Sequence, residues 1–210
     1  MTKAVTGIYG ILPADLEMQD LLDRAEAALK GGVKTLQLRD KKQGFRAALK
    51  RGKALKALTA RYDAKLIVND SIQLADETGA DGVHLGRGDI ESLALVRQNA
   101  GAGLLLGVTC RADAAFGKHA IESGADYLSF GALFPTVTKP EVPAIGLFRL
   151  QKARDMFPDA NIVAIGGITL EALAAVKATG ADSAAVISAL FAADDIENRA
   201  RAMVEAWKRG

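Results

Sequence analysis

The residues of this chain best equipped for chemistry sit in short polar clusters, each directly behind an apolar run. Gln37, Arg39 and Lys41 lie two apart, so in an extended strand they share one side. A glutamine and two cations on a side where a bland core would carry valine point to an anion site. For Asp40, Lys41 and Lys42 taken alone, the alternative is a strand that runs out into a charged loop. Asn69-Asp70 follows Leu66-Ile67-Val68, and Asp89 follows Val83-His84-Leu85 after a Gly86-Arg87-Gly88 turn. If those runs are neighbouring strands, roughly 5 Å apart, the two carboxylates can share one cation. Mg²⁺ suits such a pair, since it takes one or two carboxylates together with waters and phosphate oxygens. Each aspartate has a simpler alternative: Asp70 with Gln73 has the spacing of a capping box, and Asp89 could cap a helix beginning near Ile90.

Two further clusters suit phosphate. Thr136, Thr138 and Lys139 offer two hydroxyls and an ammonium within a loop stiffened by Pro135 and Pro140, although the same stretch would pass as an ordinary surface loop. Gly166-Gly167 closes the run Ile162 to Ile165, and Ser188 follows Val186-Ile187; glycine there lets an anion approach backbone N–H groups. Other features carry less. His84 lies inside an apolar strand and reads as a satisfied core residue, His119 as a solvated helix residue, and Cys110 has no histidine nearby in sequence to activate it. Gly101-x-Gly103 follows a helix and precedes a strand, the wrong order for a dinucleotide fingerprint, and no Walker-type motif is present.

What must position these clusters is legible from an internal repeat. Gly31-Gly32-Val33-Lys34, Gly79-Ala80-Asp81-Gly82, Gly124-Ala125-Asp126-Tyr127 and Gly180-Ala181-Asp182-Ser183 share one grammar: a helix end, a small residue, a polar residue, then an apolar run. Further apolar runs at Ile8 to Leu12, Leu66 to Val68, Leu104 to Val108 and Ile162 to Ile165 alternate with them, and the sum is eight strands. Leu16, Leu22, Ala25 and Leu29, and later Leu170, Leu173 and Val176, recur at helical spacing. Strand and helix alternating eight times predict an α/β fold, a single-domain (β/α)8 barrel over residues 1–210, with a doubly wound open sheet as the runner-up. In such a barrel the C-terminal strand ends meet on one face, where all the clusters named above fall.

Composition narrows the partners. With 27 basic and 25 acidic residues intermixed, the 210-residue chain has a net charge of +2 and no basic face or tail, so neither nucleic acid nor a membrane is expected. The lone cysteine excludes an internal disulfide and a cysteine-based zinc site. The N-terminus lacks the pattern of a signal peptide, and a cytoplasmic location is expected. The expected partners are small phosphorylated substrates; a homo-oligomer is allowed.

Together these segments resemble the thiamine-phosphate synthase family over nearly the whole chain. The matching stretches are Gln37-Leu38-Arg39-Asp40-Lys41, Asn69-Asp70, His84-Leu85-Gly86-x-x-Asp89, Thr136-x-Thr138-Lys139-Pro140, Ile165-Gly166-Gly167-Ile168 and Val186-Ile187-Ser188. The resemblance implies a transferase that joins hydroxymethylpyrimidine diphosphate to hydroxyethylthiazole phosphate, forming thiamine phosphate and pyrophosphate. It implies that Gln37, Arg39, Lys41, Asn69 and Lys139 bind the pyrimidine diphosphate, with Arg39 and Lys139 neutralising the leaving group, and that Asp70 and Asp89 hold Mg²⁺. It implies that Thr136, Thr138, Gly167, Ile187 and Ser188 receive the thiazole phosphate. The sequence departs from the family pattern twice: Thr109 stands where serine is usual, which keeps the hydroxyl facing the pyrimidine, and Gly131-Ala132 stands for Gly-Pro. A related thiazole tautomerase is disfavoured by the lack of a histidine after the fifth strand. A non-catalytic phosphate-binding barrel would need neither Gln37 and Asn69 nor the paired aspartates.

Overall fold

The structure, a computed structural model, describes residues 5–40, 44–86, 93–100, 103–135 and 143–210. Eight parallel strands close in sequence order into a barrel: β1 (Gly7–Ile11), β2 (Thr35–Leu38), β3 (Lys65–Asn69), β4 (Gly82–Leu85), β5 (Leu105–Arg111), β6 (Tyr127–Phe130), β7 (Asn161–Ile165) and β8 (Ser183–Val186). The helices α1 (Met18–Lys30), α2 (Phe45–Arg61), α3 (Ile72–Thr78), α4 (Leu93–Ala100), α5 (Ala114–Glu122), α6 (Gly146–Met156) and α7 (Leu173–Ala178) connect successive strands. A short α8 (Ser188–Phe191) and the terminal α9 (Ile196–Arg209) follow the last strand. The expected barrel is therefore the observed fold.

The strands are buried on both faces because helices cover the outside and side chains fill the inside, which explains their aliphatic runs. Leu36, Leu66, Val83, Leu106, Leu128, Ile162 and Ala184 face the helices, and Leu21, Ala25, Ala28 and Leu29 of α1 bury the matching stripe. The inner layer is a separate cluster of Val5, Tyr9, Ile11, Ile67, Tyr127, Val163 and Ala185. Two tyrosines at a barrel centre demand room and partners. Room comes from Gly107, opposite Tyr127, where a Cβ would stand 1.9 Å from the tyrosine Cζ.

The repeat proves to be a device at the N-terminal face. Gly79 ends α3 in the left-handed region, and the aspartate two residues on ties the coming strand to the one before it. Asp81 accepts the Leu66 N–H at 2.8 Å and the Lys56 ammonium at 2.6 Å. Asp182 treats the Ile162 N–H (2.8 Å) and Arg154 (2.6 Å) in the same way, and Asp126 does so with the Leu106 N–H (2.7 Å) and Arg97. In the first repeat Lys34 replaces the aspartate and donates instead to the Tyr62 carbonyl. The barrel closes where β1 pairs with β8, and there the Ser183 hydroxyl donates to the Gly7 carbonyl at 2.9 Å; the Asn161 amide at the start of β7 brackets the backbone of Val5, just ahead of β1, with bonds of 2.8 and 2.9 Å.

Candidate active site

At the C-terminal strand ends lies a cavity of about 480 Å³. One side is lined by Gln37 and Arg39 after β2, Asn69 at the end of β3, His84 on β4, and Thr109 and Arg111 on β5. The other side is lined by Gly131 and Ala132 after β6, Ile165 to Thr169 after β7, and Val186 to Ala189 around the β8 to α8 junction. Gln37, Arg39, Asn69, Thr109, Gly167, Ile187 and Ser188, all singled out from the sequence, are thereby brought to one pocket. Lys41, Asp89, Thr136, Thr138 and Lys139 lie outside the described residues.

Some expectations change. Gln37 and Arg39 reach the same cavity although β2 ends at Leu38: Gln37 is a buried strand residue, and Arg39 enters from the loop. Asp40 turns the opposite way into a buried pair with Arg51 of α2, Oδ2 to Nε 2.7 Å, with side chains only 1% and 9% exposed. Burial pushes the Asp40 carboxyl above its ordinary range, while Arg51 pulls it back. The capping alternative for Asp70 is not realised, since the Ser71 hydroxyl caps α3 by accepting the Leu74 N–H at 3.1 Å. Asp70 has a φ of +66°, a conformation that aspartate and asparagine tolerate better than most residues, and its N–H donates to the His84 carbonyl across the strand gap at 2.9 Å.

His84 is both a core residue and a lining residue. It is 8% exposed; its Nδ1 pairs with the Tyr127 hydroxyl at 3.0 Å and its Nε2 with the Thr109 hydroxyl at 2.8 Å. Arg111, not singled out from the sequence, also reaches the cavity, and the signal for it was available. It stands two residues beyond Thr109 on the same strand, although a bulge between them shifts the register and Arg111 has a φ of +55°. Neither Arg39 nor Arg111 has an ion-pair partner among the described residues, so both guanidinium groups are available to an anion. Across the cavity, Gly167, Ser188 and Ala189 hold backbone N–H groups without an acceptor among the described residues. Gly167 cannot be replaced simply: its φ is +66°, and a Cβ would stand 2.5 Å from the Pro135 carbonyl oxygen. Cys110 points away, buried in β5.

The arrangement has cations and amides on one wall, bare N–H groups on the other, and apolar surface between. It can hold two anions at a distance and bring their organic parts together. The expected metal carboxylate that falls among the described residues, Asp70, is half-buried next to Asn69 at the end of β3, and Asn69 lines the cavity while Asp70 does not. Among the described residues no cluster of three metal-binding side chains occurs, which a Mg²⁺ bound chiefly by phosphate and water does not require. Nor is any described helix long and apolar enough to cross a membrane.

Comparison with known proteins agrees over the whole barrel. The family model of thiamine monophosphate synthase matches residues 8–190. A thiamine-phosphate synthase from Methylobacillus flagellatus is 42% identical over 197 residues, covering 94% of this chain and 93% of its own. That of Bordetella bronchiseptica is 44% identical over 206 residues, covering 96% and 94%. Among solved structures, thiamine phosphate pyrophosphorylase from Pyrococcus furiosus superposes with a TM-score of 0.87 at 31% identity, covering 97% of this chain and 96% of that one.

Proposed function

Since the chain belongs to the thiamine monophosphate synthase family, we propose that this transferase of thiamine biosynthesis joins hydroxymethylpyrimidine diphosphate to hydroxyethylthiazole phosphate, with Mg²⁺ assistance. The observation that carries this reading is the two-walled cavity. Arg39, Gln37, Asn69 and Thr109 face Gly167, Ile187 and Ser188 across one space, so each phosphorylated substrate has its own anion site.

In the proposed reaction the bond between the pyrimidine methylene and the diphosphate oxygen breaks, and its electron pair leaves with pyrophosphate. The aminopyrimidine ring stabilises the resulting benzyl-like cation, and the thiazole nitrogen supplies the pair for the new C–N bond. No proton has to move, so the site needs charge and alignment more than an acid or base. Arg39 and Lys139 neutralise the departing oxygens; Lys41, Asn69 and Gln37 hold the remainder of the pyrimidine substrate, with the Thr109 hydroxyl on its ring. Thr136, Thr138 and the N–H groups of Gly167 and Ser188 take the thiazole phosphate, Ile187 packing beside it. Asp70 and Asp89 are the proposed ligands of Mg²⁺, which when bound adds positive charge beside the pyrophosphate.

The test is pyrophosphate release measured with both substrates, with each alone, and with chelator. Release only with both, abolished by chelator and restored by Mg²⁺, is expected. Turnover indifferent to chelator removes the metal from the reading; tight binding of both substrates without turnover replaces the transferase with a sequestering protein.

A further inference from the structure

We propose that Tyr9, Tyr127 and His84 are positioning residues, a hydrogen-bonded chain under the cavity floor that fixes which polar atoms Gln37 and Thr109 turn toward an aminopyrimidine. The inference rests on the pyrimidine-binding role proposed above for those two residues.

The chain is continuous across the barrel. Gln37 Nε2 donates to the Tyr9 hydroxyl at 2.7 Å, which lies 3.2 Å from the Tyr127 hydroxyl; that in turn lies 3.0 Å from His84 Nδ1, and His84 Nε2 lies 2.8 Å from Thr109 Oγ1. Only its ends and His84 reach the cavity. The two tyrosines, 1% and 0% exposed, sit beneath it among Val5, Ile67 and Val163. Phenylalanine would fill the same volume without the cost of burying two hydroxyls. Burial pushes both phenols well above their ordinary titration range, so each keeps its single hydrogen.

That single hydrogen gives the chain a direction. With Gln37 donating, the Tyr9 hydrogen goes to Tyr127 and the Tyr127 hydrogen to His84 Nδ1. A neutral imidazole that accepts at Nδ1 carries its hydrogen on Nε2 and donates to Thr109. Thr109 accepts there, and again from the Ser129 hydroxyl at 3.4 Å, so its own hydrogen is left for the cavity. At the other end the Gln37 side-chain amide oxygen, Oε1, is left for the cavity. One wall thus offers an acceptor and a donor, the complement of an aromatic amine and a ring nitrogen. Reversing the chain reverses both ends together.

Two measurements test this. In ¹⁵N spectra of the wild-type protein, whose two histidines are told apart by His119→Gln, His84 is expected as the Nε2–H tautomer; the Nδ1–H tautomer would overturn the proposal. In kinetics, Tyr9→Phe and Tyr127→Phe should each raise KM for the pyrimidine diphosphate about three- to tenfold, as loss of one buried hydrogen bond predicts. KM for the thiazole phosphate should stay within about twofold, and the double variant should be no worse than the poorer single one, because a chain is cut only once. A folded Tyr127→Phe with unchanged pyrimidine KM overturns the idea, as does a uniform loss tracking only the melting temperature. If neither variant folds, the tautomer decides. A wild type that makes no pyrophosphate from both substrates sinks the proposed reaction instead, and the tautomer still reports on the chain.

Discussion

A carboxylate at a strand end can serve a metal or a helix, and around Asp70 these duties fall to different residues. Ser71 caps α3, so Asp70 is released from that task. Asparagine also accepts the left-handed backbone at φ +66°, so Asp70→Asn should lower turnover far more than it lowers the melting temperature. On the proposed reading it should lower turnover at least a hundredfold by removing metal-binding charge. Ser71→Ala should do the reverse, costing about 1 kcal/mol of stability with turnover intact. Thermal melts and pyrophosphate assays on the two variants check this, and an active Asp70→Asn removes that residue from the metal site. Sequence spacing alone favoured the wrong capping residue, because Asp70 and Ser71 are both good caps and only the φ of the first one separates them. His84 was half legible for a similar reason. Its apolar neighbours announce burial, but nothing in them says that the ring reaches both a tyrosine and the cavity.

At the level of elements, the loop leaving β2 is held from beneath. Asp40 is pinned by Arg51, which also donates to the Leu16 carbonyl at 2.7 Å, so α2 anchors the exits of β1 and β2 together beside Arg39. Arg51→Ala would leave the Asp40 charge buried without its partner, and a loss of about 3 to 5 kcal/mol is expected. Chemical denaturation at neutral pH measures it; a loss below about 1 kcal/mol would show that solvent reaches the pair. From the sequence, Asp40 reads as one of a run of loop charges. Nothing local marks it as the member that turns inward, because its partner stands eleven positions away on a helix, where Arg51 is the one charged residue among the buried positions.

For the whole molecule, the barrel was legible because its grammar is written four times, and the strand ends followed from it. What the repeat was for was not legible. The aspartates of Gly-Ala-Asp looked like generic polar spacers, whereas each joins a strand to its predecessor through a backbone N–H and a cation from the preceding layer. These clamps sit at the face remote from the cavity, so stability and substrate recognition should be separable. Asp182→Asn, which keeps an acceptor for the Ile162 N–H but loses the charge pairing with Arg154, should cost about 1 to 2 kcal/mol, roughly 2 to 8 °C in Tm. Both KM values should remain at wild type; a change in either would mean that the two faces are mechanically coupled.

The clamps join strands that are neighbours in the chain, and such contacts cost little loop entropy to make. The junction of β1 with β8 is different, for Gly7 meets Ser183 across 176 positions, and the segment just before β1 is tied to β7 from Val5 to Asn161 across 156. Order of assembly follows from that contrast. A growing or truncated chain can lay down strand pairs as they emerge, yet the ring stays open until its last strand is made. The mouth draws on strand ends from β1, through Ile11, to β8, so it takes shape only with the ring. On the proposed reading, recognition of the two substrates therefore arrives all at once, and a partly made chain has nothing with which to compete for them.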